Sequence, residues 1–392
     1  MTKDIFLLGS TGSIGQTTLN IIRRDKNNFN VKLLTTNKNV KKIYKQAIEF
    51  KVKNIVISNK EEYLKYIGNF KKKRINVFFS IKSFLKENKK KSSITINAIS
   101  GIDGLEPTLN IIKYSKNLAI ANKESIICGW NFINKELRKY KTRFIPLDSE
   151  HFSIWSLLKN EKKSHIKKIY LTASGGPFLN KKLISIKNVK PKIALNHPNW
   201  KMGKKISIDS ATMINKIYEV IEAKNIFNIP YQKIHILVHP KSYIHAIIKF
   251  KNGLIKIIAH DTTMKIPIFN TIYSNTDKTI KSDKLNINLL NNLNLRQVDK
   301  KRYPIIKLLN LLPNEHTLFD TVIVSTNDIL VELFLKKRIK FIDIEKKLLH
   351  LIKSKVFLKY KKIYPSNTKD IINLNKYVRL KVLENMYKSA HV

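Results

Sequence analysis

Gly9-Ser10-Thr11-Gly12-Ser13-Ile14-Gly15 follows directly on the strand-like Ile5-Phe6-Leu7-Leu8 and leads into an amphipathic stretch over residues 16–24. The chain has only 11 glycines in 392 residues, against a usual share of ~7%. Three of them in one heptapeptide mark a place where backbone geometry matters. A dinucleotide-binding turn needs such glycines for the tight bend, for the approach of the pyrophosphate, and for packing helix on strand. The first amides of the helix then face the phosphates. The spacing is G-x-x-G-x-x-G rather than G-x-G-x-x-G, and an ordinary tight βα turn is the competing reading. The strand–turn–helix context favours the nucleotide.

Outward from this turn the pattern repeats. Residues 31–35 read as a second strand, 40–50 as a helix, 54–58 as a third strand and 94–99 as a later one. This rhythm predicts a parallel sheet covered by helices. The second strand ends in Thr35-Thr36-Asn37-Lys38-Asn39, without the acid that binds a ribose 2′-hydroxyl, which favours NADPH over NADH. Near residue 145 the texture changes. Strands at 168–172, 235–238, 244–250 and 254–259 lie closer together, two of them joined by the hairpin turn Lys251-Asn252-Gly253. From Arg302 onward no glycine occurs, and the apolar spacing over 305–312, 321–335, 344–352 and 375–387 is helical. The expected architecture is therefore α/β: an N-terminal Rossmann-like NADPH domain (1–147), a central α+β domain (148–274), an Asn-rich linker (275–300) and a C-terminal α-helical domain (301–392).

Composition bounds the function. Lys and Arg number 75 against 28 Asp and Glu, a formal net charge of +47. Taken alone, such a balance points to nucleic acid. The lysines, however, are spread along the whole chain and accompany abundant Asn and Ile, all A/T-rich codons, so solvated lysine faces are the preferred reading and neither nucleic acid nor membrane is expected as a partner. A single cysteine, Cys128, excludes a disulfide framework and a multi-cysteine metal site. No apolar run approaches the ~18 residues of a membrane span. The start of the chain, which enters a strand at once, reads as lacking a targeting segment, so a cytoplasmic location is expected.

In so basic a chain the acids stand out. Ile145-Pro146-Leu147-Asp148-Ser149-Glu150-His151 reads as extended, so Asp148 and Glu150 project from one side, where a shared Mg²⁺ or Mn²⁺ would relieve their repulsion. Two solvated acids at a helix start are the alternative. Leu171-Thr172-Ala173-Ser174-Gly175-Gly176-Pro177 uses two more scarce glycines, and a Ser-Gly-Gly turn can form an anion nest. The loop His197-Pro198-Asn199-Trp200-Lys201-Met202-Gly203 carries an exposed-looking Trp. Asp209 through Glu219 reads as one helix opening near Ser210, with Asn215 and Glu219 on a common face and Lys216 beside them. These groups suit a phosphate and a third metal carboxylate. His235, His239 and His245 lie among β-branched residues and are read as structural rather than as a zinc site.

Taken together, these strings resemble the 1-deoxy-D-xylulose 5-phosphate reductoisomerases of the non-mevalonate isoprenoid pathway. The likeness runs nearly the whole chain and is strongest over 9–15, Ala121-Asn122-Lys123-Glu124-Ser125, 146–151, 171–178, 197–203 and 205–216. It implies NADPH, one Mn²⁺ or Mg²⁺, a sugar phosphate substrate, and a homodimer formed through the central, catalytic domain. Carried over by position, Thr11, Gly12, Ser13, Ile14, Asn37, Lys38, Asn39, Asn122, Glu124 and Gly203 would hold NADPH. Asp148, Glu150 and Glu219 would bind the metal. Lys123, Ser149, Ser174, His197, Ser210, Asn215 and Lys216 would hold the substrate, with Lys123, Glu150 and His197 catalytic and Trp200 and Met202 on a lid. The metal would chelate the substrate oxygens, the carbon skeleton would rearrange, and NADPH would reduce the resulting aldehyde to 2-C-methyl-D-erythritol 4-phosphate.

The chain departs from the family pattern at Asn37 and Ile217, where Gly is usual, and over 260–265. Ser325-Thr326-Asn327-Asp328 is an eroded Ala-Ala-Asn-Glu string. No proposed ligand is lost, so activity is expected. The rival readings are another NAD(P)-dependent enzyme, such as a homoserine or semialdehyde dehydrogenase, and a basic nucleic-acid-binding protein. An acylating dehydrogenase needs a nucleophilic cysteine, whereas Cys128 lies in an apolar, helix-like segment.

Overall fold

The computed structural model describes residues 2–274 and 276–388. Met1, Asn275 (the first residue of the expected linker) and residues 389–392 lie outside the described residues. The chain forms two compact units.

The first unit comprises residues up to 125, Asn131–Phe152 and Thr263–Lys281. Its core is a seven-stranded sheet of β1 (Lys3–Leu8), β2 (Phe29–Thr36), β3 (Asn54–Ile57), β4 (Asn76–Phe78), β5 (Ser92–Asn97), β6 (Ser115–Ile120) and β7 (Arg143–Pro146). The order is β4-β3-β2-β1-β5-β6-β7 and every pairing is parallel. Parallel strands are covered on both faces and so read as continuous apolar runs; Ile5, Leu7 and Leu8 of β1 expose no surface. The order reverses at β1, whose neighbours are β2 and β5, and α/β sheets bind ligands outside the carboxyl ends of strands at such a point.

The helix expected over 16–24 forms, but it begins earlier, at Ser13, and ends at Arg23 (Ser13–Arg23). The strands β4, β6 and β7 were not legible in the sequence. β4 has three residues, and β6 opens with Ser115-Lys116-Asn117, so pairing with neighbours rather than local pattern makes them strands. Thr263–Lys281, of which 263–274 were read with the central domain and 275–281 as linker, packs in this first unit. Lys3 Nζ donates to the Ile272 carbonyl at 2.9 Å, the Tyr273 hydroxyl donates to Asp25 at 2.8 Å, and the Tyr273 ring meets Phe29 edge-on at 5.3 Å.

The second unit comprises Ile126–Trp130, Ser153–Thr262 and residues from 282 onward. Its five-stranded sheet contains β8 (Ile166–Ala173), β9 (Ile234–Val238), β10 (Ile244–Phe250), β11 (Ile255–Ala259) and β12 (Arg296–Gln297), in the order β11-β10-β8-β9-β12. Only β8 and β9 run parallel. The hairpin turn at 251–253 joins antiparallel β10 and β11, as its composition predicts. β12 falls within 275–300, the segment read as linker, and adds an edge strand to β9. The helix Ile214–Phe227 packs on β8 and β9.

Toward the C-terminus come the helices Phe319–Leu335, Phe341–Leu351 and Thr368–Lys388; residues 304–311 form a 3₁₀ rather than an α-helix. Phe319–Leu335 is buried on nearly every side. Among the described residues no helix is long and apolar enough to cross a membrane.

Candidate active site

In the first unit the glycine turn shapes a cleft of about 710 Å³ at the switch point, lined among others by Thr11, Gly12, Thr36, Asn37 and Ser58. The three glycines have different work. At Gly9 the φ is +78°, and a Cβ would lie 2.6 Å from the Ala98 carbonyl oxygen. At Gly15 a Cβ would lie 2.5 Å from the Gly9 oxygen and the Ser10 Cα. Both are therefore demanded by the fold. Gly12 is different: a Cβ there would meet nothing nearer than the Gly9 oxygen at 3.5 Å. Its lack of a side chain clears space on the cleft side. The following helix has no side-chain cap and no acid in its first turn, which leaves its N-terminal amides and dipole available to an anion.

At the cleft's far rim Asn37 Nδ2 donates to Ser58 Oγ at 3.0 Å, and the hydroxyls of Thr11 and Thr36 meet at 2.9 Å. Asn37, Lys38 and Asn39 are all exposed. The Asn39 side chain also accepts from Lys42 N at 3.3 Å and so caps the helix Val40–Glu49. Asn122 likewise caps the helix Lys123–Tyr140, accepting from Ser125 N at 2.6 Å, while its amide donates to the Gly101 carbonyl at 2.7 Å.

The stretch 148–150 is not extended, as its sequence suggested. Glu150 sits in the first turn of the helix Ser149–Leu157, its amide donating to Asp148 Oδ1 at 3.3 Å. Helix geometry, not strand alternation, sets the two acids. Lys123 Nζ pairs with Asp148 Oδ2, His151 Nδ1 lies 3.1 Å from Asp148 Oδ1, and Ser149 Oγ donates to Glu150 at 2.6 Å. Burial works to raise the Asp148 carboxyl, but the Lys123 ammonium and His151 hold it well below the usual carboxylate range. Asp148 is thus an anion at neutral pH.

In the second unit the expected helix from Asp209 to Glu219 is two helices. Lys204–Ala211 ends at Thr212, Met213 takes a left-handed conformation (φ +65°), and Ile214–Phe227 begins anew. Ser210 therefore lies in a last turn, not near an N-terminus, while Asn215 and Lys216 occupy the next helix's first turn. Glu219, 1% exposed, accepts from Asn215 Nδ2 at 2.5 Å and pairs with Lys216 Nζ. Ile217, at a family glycine position, is fully buried in that helix.

The Ser174 turn closes over the end of Lys204–Ala211. A Cβ on Gly176 (φ +66°) would lie 2.9 Å from Ala211 Cα and 3.0 Å from the Ser210 oxygen, so only glycine permits this approach. Ser174 Oγ accepts from Gly176 N at 3.0 Å and lies 2.9 Å from His197 Nε2. His197 Nδ1 accepts from the amides of Asn199 and Trp200, at 3.2 and 3.0 Å. With Nδ1 an acceptor, the proton sits on Nε2 and is donated to Ser174. Burial lowers the His197 pKa to about 4, so the ring is neutral at physiological pH. Ser174 then accepts two hydrogen bonds, which leaves its own proton to donate. Trp200 is half-buried rather than exposed, edge-on to His245 at 6.0 Å, and His245 stacks on His260 at 3.7 Å. His239 Nδ1 lies 2.5 Å from the Leu293 carbonyl oxygen. The three discounted histidines thus lie in or beside the sheet strands.

Thr11, Gly12, Ser13, Ile14, Asn37–Asn39, Asn122–Glu124 and Asp148–Glu150 all belong to the first unit. Ser174, His197, Gly203, Ser210, Asn215, Lys216 and Glu219 belong to the second. Sequence reasoning missed the left-handed Met213, the directing role of His197, and two supports behind the pocket, Asp209 and Tyr303. The available signal for Asp209 was an acid beside Ser210 in an acid-poor chain; Tyr303 had none.

Comparison with known proteins places these features. The family model for 1-deoxy-D-xylulose 5-phosphate reductoisomerase matches residues 5–129, and models for C-terminal domains of the same enzyme match residues 144–227 and 261–381. The 1-deoxy-D-xylulose 5-phosphate reductoisomerase of Pelagibacter ubique (strain HTCC1062) is 56% identical over 383 residues, covering 97% of this chain and 98% of that protein. The solved reductoisomerase from Zymomonas mobilis in complex with NADPH superposes with a TM-score of 0.86 at 30% identity, covering 98% of this chain and 99% of that one. A reductoisomerase structure in complex with NADPH, fosmidomycin and magnesium gives 0.89 at 28% identity, covering 98% of both chains.

Proposed function

We infer the function of this chain from its family, for it belongs to the 1-deoxy-D-xylulose 5-phosphate reductoisomerases. It is an NADPH- and divalent-metal-dependent oxidoreductase that rearranges 1-deoxy-D-xylulose 5-phosphate and reduces the product to 2-C-methyl-D-erythritol 4-phosphate, a step toward isoprenoid precursors. NADPH supplies the hydride, and the ion supplies Lewis acidity and a template for the substrate oxygens.

The residue assignments are proposals. Asp148 and Glu150 of the first unit and Glu219 of the second are assigned to the divalent ion, since carboxylate oxygens suit Mg²⁺ or Mn²⁺. The buried Glu219 and the ionised Asp148 fit that role. The space at Gly12 and the uncapped helix that follows support cofactor binding by Thr11, Gly12, Ser13 and Ile14, with Asn37, Lys38 and Asn39 toward the 2′-phosphate, and Asn122, Glu124 and Gly203 completing the set. Ser174, Ser210, Asn215 and Lys216 bind the substrate phosphate, with Lys123 and Ser149 toward the reacting end. Lys123 keeps Asp148 anionic. His197 acts through Ser174, holding its hydroxyl toward the phosphate. Trp200 and Met202 lie on the loop that closes over the substrate. The observation that carries the phosphate assignment is the Ser174 hydroxyl, with both acceptor sites filled and its proton left to donate.

The chain is proposed to work as a cytoplasmic homodimer. Supporting this, Leu254, just before the edge strand β11, and Ile255 and Ile257 within it are 46–59% exposed, and an apolar sheet edge left open to water invites pairing with another chain. Light scattering should give a dimer mass, and Ile257→Lys should lower it.

Purified protein with Mg²⁺ or Mn²⁺ should oxidise NADPH only when 1-deoxy-D-xylulose 5-phosphate is added, seen as loss of reduced-nicotinamide absorbance; no loss sinks the function. Glu150→Gln should abolish turnover while leaving NADPH affinity intact, and full activity in that variant would refute the metal assignment.

A further inference from the structure

We propose that the C-terminal part of the chain holds the phosphate pocket in shape through two buried struts, and that Asn327 and Tyr303 are positioning residues for the substrate phosphate. This rests on the assignment of Ser174 and Ser210 to that phosphate.

The first strut is a polar chain inside the helical core. Asn327, with no exposed surface, donates from Nδ2 to Asp209 Oδ1 at 2.8 Å. Asp209 is 1% exposed, and its other oxygen takes Lys205 Nζ at 2.9 Å. Lys205 in turn reaches Asp328 Oδ1 at 3.0 Å. The eroded string Ser325-Thr326-Asn327-Asp328 thus grips the helix Lys204–Ala211 by the residue next to Ser210. A buried carboxylate of this kind is costly unless paired on both oxygens. The pairing found here locks the last helical turn, where the main chain must next bend through the left-handed Met213.

The second strut holds the facing wall. Tyr303, 3% exposed, donates its hydroxyl to the Gly175 carbonyl at 2.6 Å, and Arg302 Nη1 donates to the Phe178 carbonyl at 2.8 Å. Gly175 and Gly176 both have positive φ, so nothing in their own side chains fixes the turn. Fixing the Gly175 carbonyl orients the Gly175–Gly176 peptide, whose N–H in turn orients Ser174. Each strut therefore ends one residue from a phosphate hydroxyl. The two walls touch where Gly176 meets Ser210 and Ala211.

The test uses the full-length enzyme with its metal and NADPH. Asn327→Ala and Tyr303→Phe should each raise the KM for 1-deoxy-D-xylulose 5-phosphate by roughly 10- to 100-fold, the scale of a misplacement near 1 Å. The inhibition constant of inorganic phosphate should rise in parallel, with the NADPH dissociation constant unchanged. The reciprocal exchange Asp209→Asn with Asn327→Asp restores the hydrogen bond and should recover much of the loss. Should Asn327→Ala fail to fold, Tyr303→Phe decides alone, since it removes one oxygen. Unchanged substrate KM and phosphate inhibition in Tyr303→Phe and Asn327→Ala, beside raised values in Ser174→Ala and Ser210→Ala, overturns the struts and leaves the phosphate assignment standing. Unchanged values in the two serine variants overturn that assignment, and the inference with it.

Discussion

A single proton decides how the pocket around Ser174 works. His197 spends Nδ1 on two backbone amides, so its ring must donate from Nε2, and burial keeps it neutral. The type of this residue was legible in the sequence; its tautomer was not, because the amides of Asn199 and Trp200 meet the ring only once the loop has closed on itself. A stability consequence follows. His197 and the buried His316 both titrate near 4 when folded, whereas an unfolded histidine titrates near ~6.5. Between those values the unfolded chain binds more protons, so stability falls as pH drops from about 6.5 toward 4. Thermal melts at pH 7 and pH 5 should show a lower Tm at pH 5. In His316→Asn the difference should shrink, and an identical pH dependence in that variant would argue against the shifted pKa. The cofactor rim yields a second test: Lys38→Asp should move preference from NADPH toward NADH, and an unmoved ratio of kcat/KM values would remove Lys38 from the 2′-phosphate.

The glycine turn shows how an element divides its residues between fold and ligand. Gly15→Ala would force a Cβ against the Gly9 carbonyl and the Ser10 backbone, an overpacking that costs about 1–3 kcal/mol. Gly12→Ala meets no such contact. Its melting temperature should stay near that of the parent while NADPH affinity falls, whereas Gly15→Ala should lose melting temperature first. Equal thermal losses in both variants would erase the distinction. The turn was readable because glycine is scarce here and its neighbours alternate strongly. The break at Met213 was not: a methionine in the left-handed region has no sequence signature, and the apolar spacing runs on through it. The acids at 148–150 misled in the opposite sense, since two carboxylates two residues apart look alike on a strand and at a helix start until the helix hydrogen bonds form.

For the whole molecule, the strands β1, β2, β3 and β5 of the first unit, the hairpin of the second and the long C-terminal helices follow from local spacing and turn composition. What does not follow is which distant segments join, because Tyr273 reaching Asp25 depends on packing that no local window contains. The net charge of +47 also acts at this scale. It names no partner, yet it should speed capture of an anionic substrate. Raising ionic strength should therefore lower kcat/KM for the sugar phosphate more than it lowers kcat, and an unchanged ratio would confine the lysines to solubility. The interrupted course of the first unit has a consequence for how the protein is made. Its last segment is Thr263–Lys281, so a ribosome must polymerise well over half the chain before that unit has all its parts. Nascent chains released short of residue 263 would leave Phe29 without its aromatic cover, so the unit whose translation starts first must wait for a segment made late.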